Sequence, residues 1–309
     1  MRYYLLAFMS AYKKFYIITP TFNSLQWLEG CVRSVADQVG QGVVVHHHIQ
    51  DGGSADGTLE WLEAWKAKHE ADREYFFTYE SERDNGMYDA LNRAWEKIPT
   101  DADITAHLNS DEQYLPDALK SVSAVFERCP RAELVACSYI LVDSEGRYIC
   151  HRRSVKASLL RSMVSCELNT CSCFHRVDVF RKHAIRCNPN YRAIADMLMY
   201  ADILKYGVRI KVMPRLVTSI FVVTGGNLSC SELDSQEREI YYRSLSPWLV
   251  KYRRHLEIIS CILRRVNDWM CPSPRLYACY IGDNHQRAIK YIKHPTAHWG
   301  MRTHAIDEE

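Results

Sequence analysis

The sequence predicts an α/β protein with a mostly parallel sheet and helices on both faces. Two observations carry this prediction: short β-rich segments alternate with segments of helical spacing from Phe15 onward, and clusters of polar residues follow the strand-like segments. A repeated strand–helix order places the strands side by side and parallel, with helices covering both faces. Because ligands of such sheets bind beyond the carboxyl ends of the strands, residues that carry chemistry should lie directly after strands.

Four strand–helix pairs are expected in the first 130 residues, from the periodicity of their apolar positions. The strands are predicted at 15–19, 43–49, 75–79 and 103–108, and the helices at 25–37, 58–68, 88–98 and 115–128. A hairpin over 133–150, a helix over 193–205 and two strands over 209–213 and 216–223 follow. The segment from Glu232 onward is predicted to be mostly helical.

Composition excludes several classes of protein. The 309 residues are 47% apolar and 25% charged, which excludes collagen-like and globally disordered chains. The formal net charge of +2 provides no field that would draw the chain onto nucleic acid. Apolar runs such as 3–9 are too short to span a bilayer. No small-residue cleavage site follows them, so a secretory signal is not expected, and Met9 is an alternative start.

Cysteine and histidine clusters have ordinary structural interpretations. Twelve cysteines without a CxxC pair are expected to be small buried apolar residues in a reducing cytoplasm, although Cys166, Cys171 and Cys173 lie close enough to be considered as a metal site. Residues 46–48 are three histidines, but neighbouring side chains of a strand alternate faces, so at most two of them could share a metal. For His175 a structural role is favoured over an acceptor-side or metal role.

Four polar clusters follow the first four predicted strands, at 19–23, 50–58, 81–92 and 108–112. Each brings acids, amides or glycines to the place where a polar ligand would bind. Glycines beside Asp51 allow the backbone to approach a ligand closely, and Ser54 or Asp56 could cap the next helix. A fifth segment, 225–229, is glycine-rich and is interpreted as a lid or an acceptor loop, since it does not open a phosphate-binding helix.

The order and spacing of these clusters, with Ile194-Ala195-Asp196 downstream, resemble glycosyltransferase family 2, a group of inverting nucleotide-sugar transferases with the GT-A fold. The resemblance covers roughly residues 15–229 and is closest to bacterial enzymes that build capsule, exopolysaccharide and lipopolysaccharide chains. Phe22 stands for the usual Tyr, and Glu112 for the second acid after Asn-Ser-Asp. The resemblance implies a cytoplasmic enzyme, at the inner face of the membrane where its acceptor is lipid-linked.

The resemblance also implies roles for individual residues. Asp111 matches the last acid of the family's Asp-x-Asp motif and is expected to bind Mg²⁺ or Mn²⁺, while Asn109 replaces the first acid. A departing diphosphate needs such a cation, which prefers oxygen ligands. The donor is expected to be a nucleoside diphosphate sugar, with a UDP-sugar as first choice. The residues that match its binding positions are Thr19, Pro20, Asp51, Asp84, Tyr88, Asn92, Asn109 and Ser110.

Asp196 matches the family's acid near the start of a helix and is the expected catalytic base, with a solvated helix acid as the alternative. Inversion needs a base beside the acceptor hydroxyl, which here belongs to a glycan or a lipid-linked saccharide. Asp202 is expected on the surface. A catalytically silent sugar-nucleotide-binding or scaffold subunit is the second hypothesis. A Rossmann-type enzyme is disfavoured because no GxGxxG follows the first strand.

The chain is divided at residue 230. Residues 15–230 form the predicted catalytic domain, with a nucleotide-sugar-binding half at 15–112 and an acceptor-side half at 113–230, and residues 231–309 form a basic helical extension. Within it, 247–270 has apolar residues at helical spacing, interleaved with Lys251, Arg253, Arg254, Arg264 and Arg265. This segment is expected either to lie on an anionic membrane or to pack on the catalytic domain.

Overall fold

The computed structural model describes residues 13–228, 231–282 and 285–297, so the apolar run 3–9, Met9 and Ser229 lie outside the described residues. The first half contains β1 (Lys13–Thr21), α1 (Leu25–Ala36), β2 (Val43–Asp51), α2 (Thr58–Lys68), β3 (Tyr75–Ser81), α3 (Met87–Glu96), β4 (Ile104–His107), β5 (Glu112–Tyr114) and α4 (Ala118–Arg128). The second half contains β6 (Leu134–Asp143), β7 (Tyr148–Arg152), α5 (Leu159–Ser162), β8 (Cys173–Arg176), α6 (Val177–His183), α7 (Ala195–Lys205), β9 (Ile210–Val223), α8 (Glu232–Ser244), α9 (Pro247–Met270), β10 (Leu276–Cys279) and β11 (Ala288–Tyr291).

The predicted parallel sheet is confirmed in the first half of the chain. Strands β3, β2, β1 and β4 lie side by side in that order, and each neighbouring pair is parallel. One apolar cluster joins one face of the sheet to α1 and α4, for example through Val32 and Phe126. A second cluster joins the other face to α3 and α7, for example through Trp95 and Tyr200. The carboxyl ends of β1–β4 therefore meet at one edge, where the predicted polar clusters follow them.

The second half of the sheet is mixed. It continues as β8, β6, β9 and β5, in which β6 and β9 are parallel and the other neighbours are antiparallel. The two strands predicted at 209–213 and 216–223 form one strand, β9. In the neighbouring strand β6, Cys137 pairs with Met213 of β9, and the next residue, Ser138, pairs with Val217 of β9. The residues between are a bulge, which lets Pro214 stay in the strand without a ladder hydrogen bond.

The C-terminal extension is only partly helical. Helices α8 and α9 are present as predicted, but β10 and β11 form an antiparallel hairpin that the prediction missed. Tyr277 and Cys279 of the hairpin pack against Ile140 and Val222 of the main sheet. The local sequence does not reveal this tertiary packing, and for that reason a helix was predicted where the hairpin forms. Within the described residues, no helix has the combination of length and apolar character needed to cross a membrane.

Helix α9 is fixed to the catalytic part by polar contacts. The Arg264 guanidinium is buried and donates to the backbone carbonyls of Arg153, Cys166 and Glu167. The Asp268 carboxylate accepts hydrogen bonds from His151 Nε2 at 2.5 Å and from Arg153 Nε at 3.2 Å. Arg264, which was grouped with the basic residues that could meet an anionic membrane, is therefore not available to one, because its charge is used inside the fold.

Candidate active site

A cavity of about 1000 Å³ opens at the carboxyl ends of the parallel strands. Its donor-side wall comes from the four loops predicted after β1–β4, and its other wall comes from the second half of the chain. The predicted site residues that line it are Pro20, Asp84, Tyr88, Asn109, Ser110, Asp111 and Asp196. The structure thus brings residues from both halves of the catalytic part to one place.

Three predicted donor-binding residues, Thr19, Asp51 and Asn92, are turned away from this cavity. Thr19 is fully buried, and its hydroxyl lies 3.0 Å from His47 Nε2. The Asn92 amide donates to the carbonyl of Cys187 and accepts from its amide, at 2.9 and 2.8 Å. These contacts hold the loops in place, and direct contact of these side chains with a donor stays a prediction.

Asp51 organises the loop that follows β2. Its carboxylate is fully buried and accepts hydrogen bonds from the amides of Gly53 and Ser54 and from the hydroxyls of Ser54 and Ser81. The loop therefore presents Gly52 to the cavity rather than the Asp51 carboxylate. The N-cap of α2 is Gly57, so neither Ser54 nor Asp56 caps this helix as predicted; Asp56 precedes the cap and accepts from the Thr58 amide at 3.2 Å.

Gly52 and Asp84 bring the second and third loops into contact. A Cβ at position 52 would lie 2.9 Å from Asp84 Oδ2, so any larger residue there would displace the Asp84 carboxylate from this position. Asp84 accepts a hydrogen bond from the Gly86 amide at 2.8 Å, and burial raises the pKa of its carboxyl. Arg192 reaches this loop from the other wall, where its guanidinium would lie 3.4 Å from a Cβ at Gly86.

The fourth loop places Asn109, Ser110 and Asp111 on the cavity wall. The backbone N–H of Asn109 donates to Glu112 Oε2 at 2.8 Å, and Glu112 itself is fully buried at the start of β5. Ser24 Oγ donates to Ser110 Oγ at 2.9 Å, which joins the first loop to the fourth. Burial raises the pKa of both Asp111 and Glu112. Glu112, which stands for the family's second acid, is thus a structural residue of this loop and Asp111 is the acid that faces the cavity.

The predicted lid segment contacts Asp111. Asn227 Nδ2 lies 3.0 Å from Asp111 Oδ2 and 3.0 Å from the Val222 carbonyl, and donates to both. Its Oδ1 accepts from the Thr224 amide at 2.8 Å, which shapes the loop around it. Leu228 and Gly226 also line the cavity. The loop therefore borders the site, as predicted, and reaches it through an amide rather than a basic side chain.

The residues at Asp111 fit a divalent cation shared with a phosphate. Asn109 Oδ1 is buried and has no hydrogen-bond partner among the described residues, so it is an oxygen available to a ligand. The described part of the chain contains no group of three or more His, Cys, Asp or Glu side chains arranged to hold a metal by themselves. Mg²⁺ commonly takes only one or two carboxylates and completes its shell with phosphates and water. This donor set matches such a site and does not match a cage made of protein ligands alone.

Asp196 lies in the first turn of α7, where the helix dipole favours a negative charge. Burial raises the pKa of its carboxyl, while the Met197 amide at 2.7 Å, the Tyr88 hydroxyl and the charge of Arg238 act in the opposite direction. The Tyr88 hydroxyl also donates to the Ala193 carbonyl at 3.3 Å. Asp202, six residues further along α7, is exposed as predicted.

Glu237 holds the segment that precedes Asp196 and is not among the residues predicted from the sequence. This buried carboxylate, on α8, accepts hydrogen bonds from the backbone amides of Arg192, Ala193 and Ile194 at 2.7, 2.8 and 3.2 Å. No local sequence signal identifies it, because its partners are backbone amides about 45 residues away. The extension after residue 230 therefore takes part in building the site.

The second wall of the cavity combines apolar and charged side chains. Arg238 forms two hydrogen bonds with Asp234, at 2.6 and 3.0 Å, and its guanidinium also contacts Met197 Sδ at 3.2 Å. Arg83 and Arg192 bring exposed positive charge to the donor side. Other residues of this wall that the sequence analysis did not single out are Tyr139, Leu141, Arg152, Val164, Phe221, Tyr242 and Glu257.

The clustered histidines and His175 lie away from the cavity, and so do Cys171 and Cys173, which are buried. Cys166 is exposed and lines the cavity. His47 is fully buried between Thr19 and the Tyr75 hydroxyl, and burial lowers its pKa to about 3. His175 is buried, stacks on Tyr200 and does not line the cavity, and burial lowers its pKa to about 4. A structural role stays the prediction for it. The cysteines in the described part of the chain are all free thiols. Burial raises the pKa of Cys171, which suits a small apolar core residue.

Sequence comparison relates this site to a known family. The model of the family described as glycosyl transferase family 2 matches residues 16–185. An uncharacterized glycosyltransferase of Mycobacterium tuberculosis, found in two strains, is 31% identical over 120 residues, which are 38% of this chain and 42% of the relative. The chain thus spans about two fifths of the length of the curated relatives that it matches.

Solved structures share the fold. TarS of S. aureus superposes with a TM-score of 0.57 at 14% identity, over 89% of this chain and 60% of TarS. A TarS fragment in complex with UDP-GlcNAc gives 0.54 at 17% identity, over 71% of this chain and 61% of the fragment. The mannosyltransferase PcManGT from Pyrobaculum calidifontis, in complex with GDP-Man and Mn²⁺, gives 0.57 at 15% identity, over 84% and 73%. At these identities the likeness shows a common GT-A fold.

Proposed function

This chain belongs to glycosyl transferase family 2, and from that premise we propose that it is a metal-dependent inverting glycosyltransferase that uses a nucleoside diphosphate sugar. The observation that carries the proposal is that Asp111 and Asp196, from the two halves of the catalytic part, line one cavity. A transferase of this kind needs a place for the diphosphate and a carboxylate for the acceptor hydroxyl, and these two residues supply them.

The proposed reaction is a single displacement at the anomeric carbon. The Asp196 carboxylate takes the proton of the acceptor hydroxyl, whose oxygen forms a bond to the anomeric carbon. The bond from that carbon to the β-phosphate oxygen breaks, and the nucleoside diphosphate leaves with the bonding electrons. Asp111, with an oxygen of Asn109, would hold the divalent cation, which when bound offsets the charge of the leaving diphosphate. Arg83 and Arg192 add positive charge to the same side of the cavity.

The donor and acceptor are proposed in the same way. A UDP-sugar is the first choice of donor, carrying a hexosyl or N-acetylhexosaminyl group, and the acceptor is a hydroxyl of a glycan or lipid-linked saccharide in surface polysaccharide synthesis. The complex of TarS with UDP-GlcNAc supports a UDP-sugar as the donor. The complex of PcManGT with GDP-Man makes a GDP-sugar the alternative donor to be tested. A cytoplasmic site of action, and contact of 247–270 with an anionic membrane, also stay proposals.

A donor screen tests this function. Thermal shift of the full chain with Mn²⁺ is measured across UDP-, GDP- and dTDP-sugars, and hydrolysis of any donor that stabilises the protein is then followed. We expect one nucleotide class to raise Tm only with the metal and to be hydrolysed slowly, with an anomeric product of inverted configuration by NMR. A product that retains the donor's configuration contradicts the proposed mechanism.

A catalytically silent binding or scaffold subunit is the second candidate. Asn109 at the position of the family's first acid favours it, because a single carboxylate, Asp111, faces the cavity from this loop. The two candidates differ in one measurement. A silent subunit would be stabilised by a donor but would neither hydrolyse nor transfer it, and its behaviour would not change in the Asp196→Asn variant.

A further inference from the structure

Helix α9 exposes a row of apolar side chains that is interrupted once, by the exposed His255. Its members are spaced three, four or seven residues apart over a helix of 24 residues, about 36 Å long. We call this the outer face of α9, formed by Trp248, Tyr252, Ile259, Ile262, Val266 and Trp269. Their exposed fractions run from 37% at Tyr252 to 88% at Trp269. Isolated exposed apolar residues are normal, but six of them in a row along one helix mark an interaction surface.

The opposite side of the same helix packs against the catalytic part of the protein. Leu249, Ser260 and Arg264 are buried. Ser260 Oγ donates to Glu167 Oε1 at 2.6 Å, and the Asn267 amide donates to the Ser154 carbonyl at 2.8 Å. The helix therefore cannot rotate to hide its outer face without losing these buried contacts, and the face is presented in one orientation.

The charges of α9 are sorted between the two sides. Its two acids point into the molecule: Glu257 lines the cavity, and Asp268 binds His151 and Arg153. Lys251, Arg254 and Arg265 are exposed beside the outer face. The exposed part of the helix thus combines apolar and basic residues, with a Trp at each end, and carries no exposed acid within the described residues.

These observations distinguish two occupants of the outer face. A second copy of the chain, paired antiparallel along the row, would place Lys251 opposite Arg265, because both flank it and lie near its two ends. Like charges at such positions oppose pairing. An anionic lipid surface instead suits both the basic and the apolar residues of α9, because its headgroups attract the basic residues and its interfacial region accepts Trp and Ile. We propose that the outer face of α9 seats the protein on an anionic lipid bilayer.

The proposal deepens the function proposed above and rests on it for one point, the acceptor. Glu257 lines the cavity from the helix whose outer face would lie on the bilayer. The site would then lie within the thickness of one helix of the membrane surface. A saccharide carried on a lipid could reach the cavity from that surface while its lipid part stays in the bilayer.

Co-sedimentation of the full chain with vesicles tests the proposal. Vesicles of phosphatidylglycerol and phosphatidylcholine are compared with phosphatidylcholine alone, at low and high salt. We expect binding to the anionic vesicles, release at high salt and a blue shift of Trp fluorescence on binding. Each basic residue near an anionic surface strengthens binding roughly fivefold, so Lys251→Gln/Arg254→Gln/Arg265→Gln should weaken partitioning roughly a hundredfold. Ile259→Gln/Ile262→Gln should weaken it independently of salt.

Matched variants separate this surface from general charge and from folding. Arg128→Gln/Lys182→Gln/Lys211→Gln removes three exposed basic residues elsewhere and should retain binding. Both α9 variants should keep the wild-type Tm and donor hydrolysis, so that failure of the membrane proposal is distinguishable from failure of the proposed function. Wild-type protein that stays in the supernatant with anionic vesicles at low salt overturns the proposal. A dimer in solution that Ile259→Gln/Ile262→Gln dissociates, without vesicle binding, overturns it in favour of a second copy.

Discussion

The side-chain amide of Asn227 donates a hydrogen bond to Oδ2 of Asp111 across 3.0 Å. An amide of the loop after β9 thus occupies one oxygen of the carboxylate that we assign to the divalent cation. A cation at Asp111 would compete with this amide for the same oxygen, because an N–H donor and a metal both need its lone pairs. The loop and the donor site are therefore linked through one carboxylate.

Asp111→Ala is expected to abolish Mn²⁺-dependent donor binding. The variant should melt nearly as the wild type does, because burial raises the pKa of Asp111 and its ionised form is not a source of stability at neutral pH. Calorimetric titration of the donor with and without Mn²⁺ measures the effect. Asn227→Ala is the matched control, since it removes the partner and leaves the carboxylate, and it should keep metal-dependent binding. Unchanged turnover in Asp111→Ala would remove this residue from the mechanism.

Asp196→Asn is expected to lower the rate of sugar transfer about 10²–10⁴-fold while donor binding is retained. The amide keeps the size of the side chain and cannot accept the proton of the acceptor hydroxyl. Transfer rates and donor affinity are measured on the same preparation. Asp202→Asn, on the exposed part of the same helix, should transfer at the wild-type rate. Wild-type transfer by Asp196→Asn would exclude it as the base.

The dependence of kcat on pH should reflect the raised pKa of Asp196. The base works only when ionised, so activity should fall as the pH is lowered through that pKa, at a higher pH than for an ordinary aspartate. Because the charge of Arg238 lowers the pKa of Asp196, Arg238→Gln should move the acidic limb of the profile to higher pH. Arg243→Gln, which removes an exposed charge on the same helix, should leave it in place. A limb shifted to lower pH in Arg238→Gln would contradict this assignment.

The same pKa shift has an opposite consequence for stability. A carboxyl whose pKa is raised by burial is favoured in its protonated form in the folded state. Its contribution to the free energy of unfolding is therefore present at low pH and is lost as the pH rises through the raised pKa. The difference in Tm between wild type and Asp196→Asn should accordingly move in favour of the variant as the pH rises. Activity and stability thus change in opposite directions over this range.

Glu237→Gln tests a positioning role for the residue that holds the segment before Asp196. Hydrogen bonds to a charged acceptor contribute about 1.5–3 kcal/mol, and losing part of this should lower kcat about tenfold with the donor KM unchanged. The acidic limb of the pH profile should also shift, because the surroundings of Asp196 change, whereas a purely structural loss would move Tm alone. Glu239→Gln, exposed on the same helix, is the control. Wild-type kcat and pH profile in Glu237→Gln would rule out the role.

Local patterns predicted the elements whose periodicity is set by one buried face. Helix α2 was predicted with the bounds it has, and α9 likewise, since their apolar and capping residues are close in sequence. Strands β5 and β8 were missed because they have three and four residues, too few to display a period. The β10–β11 hairpin was missed because its burial depends on partners such as Ile140, more than 100 residues away.

For the site, the positions of the loops were predictable from the sequence, but the orientations of their side chains were not. Loop residues that follow strands were placed correctly at one edge of the sheet, because parallel strands bring their ends together. Which side chain of each loop faces the cavity could not be predicted, and Asp51 turned out to hold its own loop. Glu237 and the Asp234–Arg238 pair reach the site only through the tertiary fold. They are distant in sequence from the motifs that they support, so no local pattern predicts them.

The Glu237 carboxylate accepts hydrogen bonds from the backbone amides of residues 192–194 and from none of their side chains. Every residue except proline offers the same amide, so an exchange at the exposed Arg192 keeps this hydrogen bond, whereas Ala193 and Ile194 are buried and are also fixed by packing. Arg192 is the position where this freedom matters, because its amide is held while its guanidinium lies against the donor loop at Gly86. Under the proposed function, a single substitution at position 192 is therefore expected to change donor preference without a compensating change at Asp196.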